Sequence, residues 1–115
     1  MKVSTDNYYV YIITNTLKTV LYIGVTNNLP QRIIEHYLNK GKTETFAGRY
    51  NCHQLIYYEF FKYVNEAIAR EKELKKWSRQ KKQDLITVFN PTWDNLNHTL
   101  FDEWPPRELF HRKNV

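Results

Sequence analysis

Residues 8–36, YYVYIITNTLKTVLYIGVTNNLPQRIIEH, decide the fold. Tyr8 to Ile13 alternates β-formers, Asn15-Thr16-Leu17-Lys18 breaks the run, and Val20 to Val25 resumes it. Two such runs across a short polar break predict a β-hairpin. With a loop of residues 15–18, Ile13 would face Val20, Tyr11 would face Tyr22 and Tyr9 would face Gly24. Directly opposed residues project on one face of a pleated pair, so the two phenols would stand together. Gly24 beside them would leave room for a ligand to approach the backbone. Asn28 and Pro30 then supply cap and first-turn chemistry for a helix over residues 29–38, on which Leu29, Ile33 and Tyr37 form one stripe. Arg32 and His36 lie one helical turn apart on the edge of that stripe.

Further along, Gly41 to Arg49 reads as a polar loop, with Lys40, Lys42 and Arg49 as possible phosphate contacts. Gln54 to Phe61, QLIYYEFF, is a third strand expected beside the first. The fold class is thus α+β: a three-stranded antiparallel sheet of order 2-1-3 flanked by helices. Asn65 is placed to cap a helix over 66–79 whose inward stripe is Ala67, Glu71, Leu74 and Ser78, flanked by Ile68 and Trp77. Glu71 is the anomaly in that stripe, because a buried carboxylate is costly unless paired or metal-bound. It reads equally as a boundary glutamate bonded to Arg32 or to a tyrosine. A last helix over 82–89 stops at Asn90-Pro91, since proline cannot continue it. Trp93 and Leu96 are expected to cover the core, and residues 98–115 to form a loosely ordered extension to a domain of residues 1–97.

Composition narrows the class. At 115 residues with 42% apolar and 16% aromatic content, the chain suits one packed domain rather than a disordered segment. The single cysteine, Cys52, excludes an internal disulfide and suits a reducing, cytoplasmic setting. Cys52-His53 without further ligands does not make a zinc site. The opening MKVSTDNYYV lacks the apolar run of a signal peptide, and no stretch has the length of a membrane span. The net charge of +5 is concentrated: residues 62–82 carry eight basic and three acidic groups, while the other positions hold nine of each. Lys72, Lys75, Lys76 and Arg79 within that stretch form the footprint expected of a nucleic-acid binder; a solvated helix face is the plainer alternative.

In order and spacing, Tyr9-Val10-Tyr11, Tyr22-Ile23-Gly24, Arg32, His36, Glu71 in AIAREKELKKW and Asn90 in FNPTW resemble the GIY-YIG nuclease family. Tyr9-Val10 stands where that family's name has Gly-Ile. The resemblance implies a metal-dependent endonuclease acting on DNA, with a place in repair or recombination. By position it implies that Glu71 binds one divalent ion, Mg²⁺ or Mn²⁺, that Arg32 contacts the scissile phosphate and that Tyr11 helps to activate water. Tyr22, His36 and Asn90 would support them, and Gly24 would lie against the nucleic acid. Such chemistry needs a cation near the phosphate and an activated water. Tyr11 would need a cation beside it to become a useful base, since a free phenol titrates near ~10. A non-catalytic nucleic-acid-binding module and a protein-interaction domain are the competing readings. The oligomeric state stays open.

Overall fold

The computed structural model describes residues 7–111. The hairpin forms from β1 (Tyr8–Thr14) and β2 (Leu21–Thr26), and β3 (Gln54–Phe61) pairs with the other side of β1. All pairings are antiparallel and the order is β2-β1-β3, as the sequence predicts. The register differs from expectation. Tyr11 opposes Gly24, Ile13 opposes Tyr22 and Tyr9 opposes Thr26. The cause lies in the turn, which runs on to Val20. The Asn15 side-chain oxygen accepts from the backbone N–H of Thr19 at 2.8 Å and of Val20 at 3.1 Å, and Lys18 takes a left-handed φ of 59°. A slip by two residues leaves each side chain on its intended face, whereas a slip by one would have inverted the sheet.

The sheet separates two cores. Val10, Ile12, Ile23 and Ile56 face Ala67 and Leu74 of α3 (Val64–Lys76) and Ile86 of α4 (Arg79–Phe89). Tyr11, Ile13 and Leu55 face Leu29 and Ile33 of α1 (Leu29–Leu38), together with Ala47 and Cys52. Ile33 is fully buried, a burial that contributes about 1.5–3 kcal/mol. Asn28 caps α1 by accepting from Gln31 N–H at 3.1 Å, with Pro30 in the first turn.

Three helix boundaries depart from the sequence reading. The loop after α1 contains a helical turn, α2 (Phe46–Arg49), capped by Thr45. Helix α3 starts at Val64 with Tyr63 at its N-cap and no side-chain cap bond, so Asn65 lies inside the helix. It ends at Lys76, and Ser78 caps α4 instead by accepting from Lys81 N–H at 3.2 Å. A serine that looked like the last inward residue of one helix is therefore the N-cap of the next.

As far as Leu109, the C-terminal segment packs onto the domain. After α5 (Asn97–Leu100), Phe101 and Trp104 pack against the α1-side core, and Leu109 in α6 (Glu108–His111) is buried. Buried Asn97 ties this strap to β3, accepting from Leu55 N–H and donating to the His53 carbonyl, both at 2.9 Å. The expected tail beyond residue 111 lies outside the described residues, as does the start of the lead-in. Among the described residues no helix is long and apolar enough to cross a membrane.

Candidate active site

Tyr11 projects from the central strand toward α1, and α1 brings two residues to meet it. The Tyr11 hydroxyl and His36 Nε2 lie 2.8 Å apart, and the Tyr22 ring sits 6.4 Å from the Tyr11 ring and 5.5 Å from the imidazole. Gly24, directly across from Tyr11, is buried beneath it, and a Cβ there would overlap the phenol, at 2.8 Å from Cε2. The room read for a ligand at Gly24 is filled by Tyr11 itself; the glycine seats the tyrosine and leaves no backbone open to nucleic acid.

Burial drives the protonation states. It pushes the Tyr11 hydroxyl well above the ordinary phenol range; the neighbouring Tyr22 adds to this, and the Arg32 charge opposes it without prevailing. His36 is pushed down to about 4, first by burial and then by the Arg32 charge, so its ring is neutral near pH 7. A protonated phenol beside a neutral imidazole can donate its hydrogen to Nε2. The lowering that Tyr11 would need to act as a base is not supplied by Arg32 alone, because desolvation outweighs its charge.

Arg32 stays within reach of solvent. Its side chain is 40% exposed and pairs through Nε with Glu35 at 3.0 Å. Glu59 binds a different arginine, Arg70, through both carboxylate oxygens at 2.9–3.1 Å. Arg32, His36 and Tyr22 line a depression of about 350 Å³ together with Glu35, Asn39 and the α2 residues Phe46 and Ala47.

Glu71 approaches from elsewhere. Helix α3 covers the opposite sheet face, and Glu71 is not among the residues lining the Arg32–His36 depression. Its side chain is only 15% exposed, and Oε2 holds Lys75 Nζ at 2.6 Å. Lys75 in turn lines a second depression, of about 240 Å³, with Leu21, Tyr22, Ile23, Phe46 and Lys82. The two depressions share Tyr22 and Phe46, so they meet across the β2 edge. The tyrosine–arginine side and the Lys75 side thus form two adjoining hollows rather than one, and Glu71 lines neither.

Asn90 sits at the junction of α4 and β3. It caps α4 and is buried, donating to the carbonyls of Ile56 at 3.1 Å and Asp94 at 3.0 Å and accepting from Asp94 N–H at 3.0 Å. Both amide protons are spent on tying α4 to β3, the strand paired with the outer side of β1. Any support that Asn90 gives the tyrosine site would therefore act through β3 and its pairing with β1.

Lys72, Lys75, Lys76 and Arg79 are exposed, and Arg79 makes one surface contact, to the Lys18 carbonyl at 3.4 Å. Arg70 drops out of the basic footprint because Glu59 and Glu73 neutralise it. Sequence reasoning did not single out Phe46, and counted Lys82 only within the basic stretch 62–82. The available signal was Thr45, a capping residue three positions before Gly48, which turns the polar loop into a platform for Phe46.

A divalent ion fits this arrangement in one way. Among the described residues no group of three or more His, Cys, Asp or Glu side chains is gathered for a metal. The donor set of the described residues thus does not match a soft or fully protein-caged metal. Glu71, mostly buried and already holding the ammonium of Lys75, offers one carboxylate in a place where a cation is stabilised. One carboxylate completed by water and phosphate oxygens is a normal Mg²⁺ environment.

A hydrogen-bonded tyrosine–histidine pair on a strand and helix, with an arginine on that helix and a carboxylate beyond the second strand, defines a class of catalytic domain. The chain belongs to the GIY-YIG family: the GIY-YIG catalytic domain matches residues 7–84. Within it, the chain is similar to a UPF0213 protein of Staphylococcus saprophyticus, 38% identical over 82 residues, covering 71% of this chain and 96% of the relative. A UPF0213 protein of Haloquadratum walsbyi is 38% identical over 80 residues, covering 70% and 86%. The solution NMR structure of a UPF0213 protein from Bacillus halodurans shares 32% identity, covers 77% of this chain and 92% of that one, and superposes with a TM-score of 0.49. The family is one of nucleases that in general depend on divalent metals, which implies a nucleic-acid substrate.

Proposed function

We propose that this chain is an endonuclease that hydrolyses DNA phosphodiester bonds with Mg²⁺ or Mn²⁺, in DNA repair or recombination, within the reducing cytoplasm that its lone buried Cys52 suits. The observation that carries the reading is the Tyr11–His36 hydrogen bond beside a solvent-accessible Arg32. Arg32 would grip the scissile phosphate, since its planar fork matches two oxygens and never loses its charge. His36, neutral near pH 7, would accept the Tyr11 hydrogen bond at Nε2 and so fix the direction of the phenolic lone pairs toward the reacting phosphate and its water. Tyr22 packs beside both and limits water at the pair. Glu71 would hold the divalent ion, displacing Lys75. When bound, that ion would neutralise developing charge on the phosphate and lower the pKa of water.

The test is nicking of supercoiled plasmid and branched DNA with Mg²⁺, with Mn²⁺ and with chelator, using the parent and Glu71→Gln. Glu71→Gln should lower cleavage by about 100-fold or more, the scale of losing one preorganised electrostatic contact. Its melting temperature without metal should match the parent, because Lys75 is half exposed and the pair is a weak one. DNA binding should survive. One observation favours a non-catalytic binding module instead: Glu71 already has a cationic partner. A parent that binds DNA and never nicks it with either metal decides for that module.

A further inference from the structure

Phe46 is an oddity in the fold. It sits in a polar loop, 49% exposed, while the next residue, Ala47, is buried in the core. The turn that presents it is rigid. Thr45 caps it by accepting from Gly48 N–H at 3.0 Å, and Gly41 N–H donates to the Gly48 carbonyl at 2.8 Å. Gly48 has no space for a side chain, since a Cβ there would lie 2.7 Å from the Asn39 carbonyl oxygen and closer still to that of Lys42. The Phe46 ring lies nearly parallel to Tyr22, at 6.3 Å and 26°, and is backed by Tyr50 at 4.8 Å. It forms the wall shared by the Arg32–His36 depression and the Lys75–Lys82 depression. Lys82 has no ion-pair partner among the described residues, and Lys75 would be released whenever Glu71 takes another cation.

An aromatic ring held out on a rigid turn between an arginine and two lysines suits one kind of occupant. Bases inside a duplex keep their faces covered, whereas an unpaired base has a free face and a flanking phosphate, and both stacking and charge then favour it. We infer that Phe46, with Lys75 and Lys82, forms a subsite that stacks one unpaired nucleobase and holds its phosphate, so that the strand entering the cleavage depression is single-stranded DNA. This inference rests on the nuclease reading proposed above for its location. The stacking itself needs no cleavage.

The experiment is a fluorescence-anisotropy titration in chelator with the full chain, using a labelled single-stranded oligonucleotide and a hairpin duplex of the same length. The variants are Phe46→Leu, which fills the space without a π-face, Phe46→Trp, which keeps one, and Lys82→Gln. Single strand should bind more tightly than duplex. Phe46→Leu should lose about 5- to 150-fold in single-strand affinity, the range carried by one base–aromatic stack, and Phe46→Trp should retain it. Lys82→Gln should soften the salt slope by about one unit. Equal binding of duplex and single strand, or single-strand binding untouched in Phe46→Leu, overturns the subsite. The nuclease reading fails separately. A parent that never nicks DNA yet shows Phe46-dependent single-strand binding keeps the subsite, whereas parent and Phe46→Leu nicking duplex alike keep the nuclease and lose the subsite.

Discussion

The two faces of the sheet handle their polar groups in opposite ways. On the α1 side, Tyr11 is wholly buried, Gly24 is hollowed out to seat it, and His36 answers its hydroxyl. On the α3 side, Glu71 lies between fully buried Ala67 and Leu74, and its partner is a half-exposed lysine. Packing therefore fixes the tyrosine–histidine pair to a single geometry and strips it of water. The carboxylate is placed by a helix but left with an exchangeable cation. Under the proposed reading, the rigid half would receive the substrate and the exchangeable half an ion.

Arg32 sharpens that contrast most. It stands on the rigid side, yet its own partner is the solvent-exposed Glu35 one turn away. Exposed pairs of this kind contribute about 0–1 kcal/mol, so Arg32→Ala should leave the melting temperature within a few degrees of the parent. Cleavage should nevertheless fall by about 10²–10³-fold, as for loss of one transition-state donor. Turnover on plasmid and thermal melting of the same preparation check both halves. An unfolded Arg32→Ala would make the arginine structural and erase its claim on phosphate.

Next in size is Gly24→Ala. The added Cβ meets the Tyr11 ring, and overpacking of this kind costs about 1–3 kcal/mol. Urea unfolding should show that loss, and cleavage should drop further than stability because the phenol is pushed away from His36. A Gly24→Ala protein as stable as the parent would mean that the ring can move, and that the α1 side is less rigid than its packing implies.

Much of this was legible in advance, and the misses share a cause. Alternation of Tyr, Ile and Val set the strands, and helical spacing put Arg32 and His36 on one edge of α1. The hairpin register was not readable, because it depends on Asn15 capturing two N–H groups beyond the loop. Glu71 looked inward by period, correctly, but periodicity cannot tell which side of a sheet a helix will cover. Asn90 stood at the expected position with its amide spent on α4 and β3, a bonding choice invisible from spacing. Phe46 went unread because one exposed ring in a polar loop has no period at all. Local patterns are written in the sequence; partners across the sheet are decided by folding.

A smaller effect belongs to pH. His36 falls to about 4 in the folded protein against an ordinary value near ~6.5, so the unfolded chain binds its proton more readily. Folding stability from this group is complete above the unfolded value and is lost as pH falls from about 6.5 toward 4. Allowing for partial solvent access, about 2 kcal/mol is at stake. His53 is also lowered by burial and adds a loss of the same sign. Urea midpoints of the parent should drop between pH 7 and 4.5, and those of His36→Gln should drop less. Equal slopes in the two proteins would show that the imidazole is solvated and the α1 side wetter than described.

The smallest effect separates two arginines that sequence alone puts in one basic stretch. Arg70 is held by Glu59 and Glu73, with its side chain 22% exposed and its guanidinium 5.2 Å from the Trp77 ring. Its charge is cancelled locally, so it has little to offer a phosphate backbone. Arg79 begins α4 with one long contact, to the Lys18 carbonyl, and no carboxylate partner among the described residues. If the α3–α4 surface follows DNA, each phosphate contact releases counterions, and the logarithm of affinity falls linearly with the logarithm of salt. Arg79→Ala and Lys76→Ala should each soften that slope by about one unit, without a change in melting temperature. Arg70→Ala should leave the slope alone and reveal itself in melting, because it strands Glu59 against the Tyr57 hydroxyl. The binding titration is run over a series of salt concentrations with all three variants. A flat slope in the parent would return this face to plain solvation, and a softened slope in Arg70→Ala would mean that its carboxylate cage opens on DNA.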